Sequence, residues 1–198
     1  MTPTGGPTVD STPGGSERFI EEGAKSYVQA TIAMKEFARI VQDACEKAAL
    51  DRLDDINRVM GTKLSDEDLH RFPRGGRLVD PTDPWLCVWF SVGDIGYLNL
   101  GLYWQPLKDG GYKLHGVATF HILDKKLFER ARERFKGLKN SRISTFPFGD
   151  QSGYLTLLEP IPAGQAASFP QMVDSVLLSF LEDWGRIGGL SGLTSPSP

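Results

Sequence analysis

At 198 residues, with 40% hydrophobic and 24% charged residues, the chain has the length and the apolar content to bury one sizeable core. A formal net charge of −3 gives no bulk signal for a nucleic-acid partner, and the longest unbroken apolar run, Trp85 to Phe90, is far too short to span a bilayer. Two cysteines, Cys45 and Cys87, are too few for a disulfide framework or a zinc site and read as buried free thiols in a reducing cytoplasm.

Residues 1–16 are mostly Thr, Pro, Gly and Ser and cannot bury enough apolar surface to offset their ordering entropy, which predicts a disordered tail. They hold neither a basic n-region nor an apolar h-region, so no signal peptide is read and a cytoplasmic location is expected. From Glu17 to Met60 there is no Pro, and no Gly after Gly23. Apolar or small residues at Ala24, Tyr27, Thr31, Met34, Ala38, Val41, Cys45 and Ala48 alternate by three and four, one stripe of a helix. The stripe then steps one position to Ala49, Leu53, Ile56 and Met60, and Gly61 is a stop signal. An unbroken helix from Ala24 to Met60 would reach roughly 55 Å, longer than a small domain is wide. The spacing therefore predicts either a break near Ala49 or a projecting part that pairs with something. The small residues on the stripe suit packing on the chain's own sheet or a homodimer seam.

Between Gly61 and Pro84, Ser65 with Asp68 marks a short capped helix, and RFPRGGR sets Arg71, Arg74 and Arg77 around a glycine pair, either an anion-holding loop or a solvated turn. Three strands with two tight turns follow over Trp85–Ile122. The first, WLCVWFSV, is apolar at nearly every position, which predicts burial on both faces and a central place in the sheet. The next two alternate. Leu98, Leu100, Leu102 and Trp104, with Leu114, Gly116, Ala118, Phe120 and Ile122, make a core face. The opposite face collects Tyr97, Asn99, Tyr103, Lys113, His115, Thr119 and His121, joined by Trp85, Cys87 and Trp89.

Asp124 to Asn140 reads as an amphipathic helix with Leu127, Phe128, Ala131, Phe135 and Leu138 inward. Lys125 to Arg142 holds eight Lys/Arg against Glu129 and Glu133, a local +6, and Lys125, Arg132, Lys136 and Lys139 fall on one stripe. A second hairpin around GDQSG joins 143–148 to 154–159, with Pro147 marking an edge strand. Ser168 with Gln171 opens a last helix that Gly185 ends, and 186–198 reads as a flexible tail. The whole is one α+β domain over 17–185, with a mainly antiparallel sheet (a three-stranded meander plus a hairpin) and three helices packed on it.

No phosphate-binding glycine motif and no nucleophile elbow is present. His115 and His121 lie roughly 20 Å apart along one strand, too far to share an ion, so neither a metal nor a cofactor is expected. The polar-aromatic face is the candidate binding site: Trp89, Tyr97, Asn99, Tyr103, His115, Thr119 and His121 offer flat rings with hydrogen-bonding tips, and Gly101 reads as a gap for a ring or ligand. That face is either a working surface or a second buried layer covered by another helix. The basic helix is a second candidate, for phosphate or an acidic patch.

The order of elements resembles that of the bacterial type III secretion chaperones, small acidic α+β dimers that hold unfolded effectors; the first helix here is much longer. It also resembles the restriction-type nuclease core, which needs an Asp on the second strand and a D/E-x-K on the third. Here Asp94 precedes the second strand, Lys113 lies on the third, and Gly111 stands where that motif has a carboxylate. The expectation is a non-enzymatic binding protein of chaperone, immunity or adaptor type with a protein partner. A divergent nuclease using Asp94, Lys113 and Glu36 or Glu46, or a nucleic-acid binder acting through the basic helix, is the alternative.

Overall fold

The computed structural model describes residues 15–71, 85–108, 111–162 and 164–194. The expected tail up to residue 14, and Arg74 and Arg77 of the basic loop, lie outside the described residues. The chain divides into two units, 1–37 and 38–198. The elements in order are α1 (Gly15–Asp51), α2 (Leu53–Met60), β1 (Leu69–His70), β2 (Trp85–Val92), β3 (Gly96–Pro106), β4 (Tyr112–Ile122), α3 (Lys125–Gly137), β5 (Ser144–Phe148), β6 (Ser152–Pro160), α4 (Phe169–Arg186) and α5 (Gly189–Thr194).

In the first unit the described residues are all helical, and Phe19, Ile20, Tyr27, Val28 and Ile32 are exposed. In the second unit the same stripe of α1 is buried at Val41, Cys45 and Ala48. The helix breaks at Arg52, three residues after the step in the stripe. Arg52 sits at φ −109°, ψ 14°. The amides of Arg52 and Ile56 still reach Ala48 O (3.2 Å) and Arg52 O (2.9 Å), so the break is a one-residue hitch rather than a turn. α2 ends where expected, with Gly61 at φ 65°. The Ser65 amide and hydroxyl both donate to the Asp68 carboxylate, the expected cap of a one-turn helix over Asp66–Asp68.

Among the described residues six strands form one antiparallel sheet in the order β1-β2-β3-β4-β6-β5. The fold is α+β. β1, two residues long, is an addition to the expected five strands: it borders β2, with Leu69 opposite Phe90 and His70 opposite Trp89. β5 is the other edge, and Pro147 stands on it. Proline cannot donate to a ladder, so its nitrogen must face away from β6.

One face of the sheet is the core. Leu86, Val88 and Phe90, then Leu98, Leu100 and Leu102, then Ala118, Phe120 and Ile122, then Leu155 and Leu157 are all buried on it. The helices of the second unit pack there. α4 supplies Val173, Val176, Leu177, Phe180 and Trp184, and α3 supplies Leu127, Phe128, Ala131 and Phe135. Glycines shape the fit: a Cβ on Gly153 would stand 2.4 Å from the Phe128 ring. Asp124 caps α3 by accepting from the Leu127 amide at 2.7 Å.

Three local expectations change. β2 is not buried on both faces. Its burial alternates, with Trp85, Cys87, Trp89 and Ser91 only half-buried, because α3 and α4 both pack on the opposite face, whereas a parallel sheet has helices on each. Ser168 does not form a capping box; its hydroxyl turns back to Gln165 O at 2.6 Å, and Pro170 occupies the first turn of α4. The stretch after Gly185 is helical over Gly189–Thr194, with Leu190 and Leu193 buried and Arg130 donating to Leu193 O at 3.1 Å.

Candidate binding face of the sheet

Strand alternation puts every residue of the expected polar-aromatic face on the side away from α4. The register aligns them in rows. Trp85, Tyr103 and His115 make one row, Trp89, Asn99 and Thr119 another, and Tyr97 with His121 a third. β6 extends the rows with Thr156 beside Thr119 and Tyr154 beside His121, and β5 adds Phe146 beside Tyr154.

The face is not uniform. Its middle is closed: His115, Val117, Thr119 and Thr156 are buried, and the hydroxyls of Thr119 and Thr156 bond each other at 2.7 Å. Thr119 and His115 thus lie below the surface of the face, and the Thr119 hydroxyl already has a partner in the chain. Burial, with a smaller push from Lys113, holds the His115 imidazole below its ordinary pKa. Trp85 leans on Tyr103 (centroids 4.6 Å apart), and Tyr103 on His115 (5.8 Å). Gly101 is not a gap. A Cβ there would lie 2.2 Å from Leu86 O and 2.5 Å from Cys87 Cβ, so the missing side chain is what lets β2 approach β3. At the β1 edge His70 stacks on Trp89 at 5.4 Å, a contact hidden from the sequence because β1 lies within an irregular connection.

The face is open at both ends: Gln105 and Lys113 are exposed at one, and the aromatic side chains gather at the other. His121 stacks on Tyr154 (4.3 Å, 20°), Phe148 meets both edge-on, and Tyr97 flanks His121. Tyr97 is 37% exposed, Phe146 49% and Phe148 58%. Ser152 Oγ gives its single proton to Phe148 O at 2.9 Å. The 3.2 Å contact between Ser152 Oγ and His121 Nε2 is therefore a donation from the ring, which fixes the Nε2–H tautomer and leaves Nδ1 as an acceptor. Burial favours this neutral form and lowers the pKa. Asn99, half-buried, donates to Tyr97 O at 3.2 Å. Sequence reading missed Phe146, Phe148 and Tyr154. The i, i+2 alternation in TFPF was the available signal, but the row that β5 joins depends on register.

The turns 93–95 and 149–151 close this same end, since Gly96 pairs with Ile122 and Ile122 with Gly153. They bring Asp94 and Asp150 to this end of the sheet, where Lys125 and Lys126 of α3 also follow Ile122.

The other candidate groups are dispersed. Asp94 sits by the Ile122 end of β4, whereas Lys113 is nine residues away along that strand, roughly 30 Å. The nuclease-like pair is not assembled. Among the described residues no cluster of three or more His, Cys, Asp or Glu is arranged to hold a metal ion. On α3, Arg132 pairs with Glu129 at 2.5 Å, Lys136 with Glu133 at 2.7 Å, and Arg142 beyond the helix with Glu159. The expected basic stripe is thus interleaved with acids; Lys125 and Lys139 are exposed, and the Lys139 carbonyl accepts from Arg186. Arg71 pairs with Glu46 at 2.8 Å. Cys45 is buried, which pushes its thiol pKa up; Cys87 is half-buried, and the two are not bonded.

No family model, curated protein or solved structure matches the chain. No helix among the described residues is long and apolar enough to cross a membrane.

Proposed function

We propose that this chain is a non-catalytic binding protein, of chaperone, immunity or adaptor type, whose partner is a protein docking on the open aromatic end of the sheet. One observation carries the reading: Tyr97, His121, Tyr154 and Phe148 form a continuous ring surface from β3 to the edge strand, Phe146 stands opposite Tyr154 in register, and Tyr97, Phe146 and Phe148 are exposed. Rings of this kind bring large contact area at low entropy cost, and protein interfaces are enriched in them. The aspartates in the adjacent turns favour a partner segment that combines apolar side chains with Lys or Arg. The paired acids along α3 disfavour nucleic acid there. A cytoplasmic setting suits the two unbonded cysteines.

The test is chemical cross-linking in lysate with mass spectrometry, comparing the full chain with its Phe146→Ser/Phe148→Ser variant. Both side chains are exposed, so the circular dichroism of the variant should match the wild type. Proteins captured by the wild type and lost from the variant support the reading. An unchanged set, or magnesium-dependent nucleic-acid cleavage abolished by Asp94→Ala, overturns it.

A further inference from the structure

The N-terminal unit carries an apolar stripe that the first proposal does not use. Over residues 20–37 it keeps a strict heptad spacing, with Ala24 and Thr31 at the a positions and Ile20, Tyr27 and Met34 at d. Tyr27 is 64% exposed and Val28 54%. Water is a poor neighbour for such a row, and a helix of this kind gains stability by burying it.

Three features of the row indicate what covers it. First, every a residue is small and every d residue is large. In a parallel pair each residue meets its own copy, so bulky and empty layers would alternate. In an antiparallel pair a faces d, and each layer fills. With the two-fold axis level with Gln29, Ala24 lies opposite Met34 of the second copy and Thr31 opposite Tyr27 of the second copy. Second, the g flank follows the same rule: Gly23 lies opposite Phe37 of the second copy, and Ala30 meets Ala30. Third, the e flank carries Glu21, Val28 and Lys35. In this register Val28 meets Val28, and Glu21 falls opposite Lys35 twice, once on each side of the axis. On the outer side Arg18 pairs with Glu22 at 3.1 Å and Arg39 with Asp43 at 2.6 Å, both within the helix. Glu21 and Lys35 are exposed and, among the described residues, pair with nothing in the chain. A parallel pair would set Lys35 beside Ala30 and leave both charges unmatched.

We infer that the occupant of this face is a second copy of the chain, held as an antiparallel helix pair over Glu21–Phe37, about 25 Å of seam. Size and charge complementarity, which agree on one register, carry the inference. It is independent of the docking surface on the sheet.

Sedimentation equilibrium of the full chain tests it. The wild type should be a reversible dimer. Lys35→Glu replaces two attractions with two repulsions and should weaken the dimer about tenfold, and adding Glu21→Lys should restore it. Under mild oxidation Ala30→Cys should give a cross-linked dimer and Ala24→Cys should not, against a wild-type control for Cys45 and Cys87. Phe146→Ser/Phe148→Ser should leave self-association unchanged, which separates this inference from the previous one. A wild type that stays monomeric at hundreds of micromolar, a dimer indifferent to Lys35→Glu, or cross-linking through Ala24→Cys in place of Ala30→Cys overturns it.

Discussion

At the scale of single residues, the centre of the sheet depends on an atom that is not there. Gly101 lets Leu86 and Cys87 come closer than any Cβ would allow, and the atoms that would clash, Leu86 O with Cys87 Cα and Cβ, are fixed by the backbone and cannot rotate away. Gly101→Ala should therefore cost about 3 kcal/mol, measured as a shift in the urea midpoint at constant slope. A loss under about 0.5 kcal/mol, the range of an ordinary surface change, would mean that β2 and β3 are free to separate. This residue also shows a limit of sequence reading. A glycine in mid-strand signals a close approach, but the sequence does not say whether a ligand or the chain itself makes it. The same limit applies to Thr119, whose type suits a binding face and whose hydroxyl is committed to Thr156.

At the scale of elements, the hitch between α1 and α2 is tied to α4 by an ion pair. The Arg52 guanidinium meets Asp174 on α4 through two parallel bonds of 2.9 Å, joining elements 122 positions apart. A double-mutant cycle with Arg52→Ala and Asp174→Ala should return a coupling of about 1 kcal/mol, because the pair is bidentate yet only partly shielded from water. A coupling of zero would leave the hitch to the apolar packing of Ile56 and Met60 alone. Element faces were legible wherever a period was clean: the leucine row of β3, the inner stripe of α3, the edge position of β5 from Pro147. What escaped were features set by partners distant in sequence. β1 is too short to show a period, and α5 is a glycine-rich segment made helical by where Leu190 and Leu193 can be buried.

At the scale of the whole molecule, the two buried or half-buried histidines of the outer face tie stability to pH. Both have folded-state pKa values below their unfolded value of about 6.5, because burial disfavours the charged ring. The unfolded chain then binds more protons in that window. The stability contributed by the neutral rings is complete above about pH 6.5 and is lost as pH falls through the folded values. The urea midpoint should decline between pH 7 and 5, and His121→Gln should flatten part of that decline; a midpoint that rises on acidification would contradict the assignment. A second, separate loss belongs at lower pH, where Asp174 and Asp68, held low by Arg52 and by the Ser65 amide, take up protons. The border strand bears on behaviour at high concentration. Fibrils grow by adding strands rung by rung along an open border, and exposed phenylalanines beside such a border would ordinarily seed that growth. Pro147 removes one rung between Phe146 and Phe148. The chain can thus display a sticky surface in water while denying it a template for polymerisation.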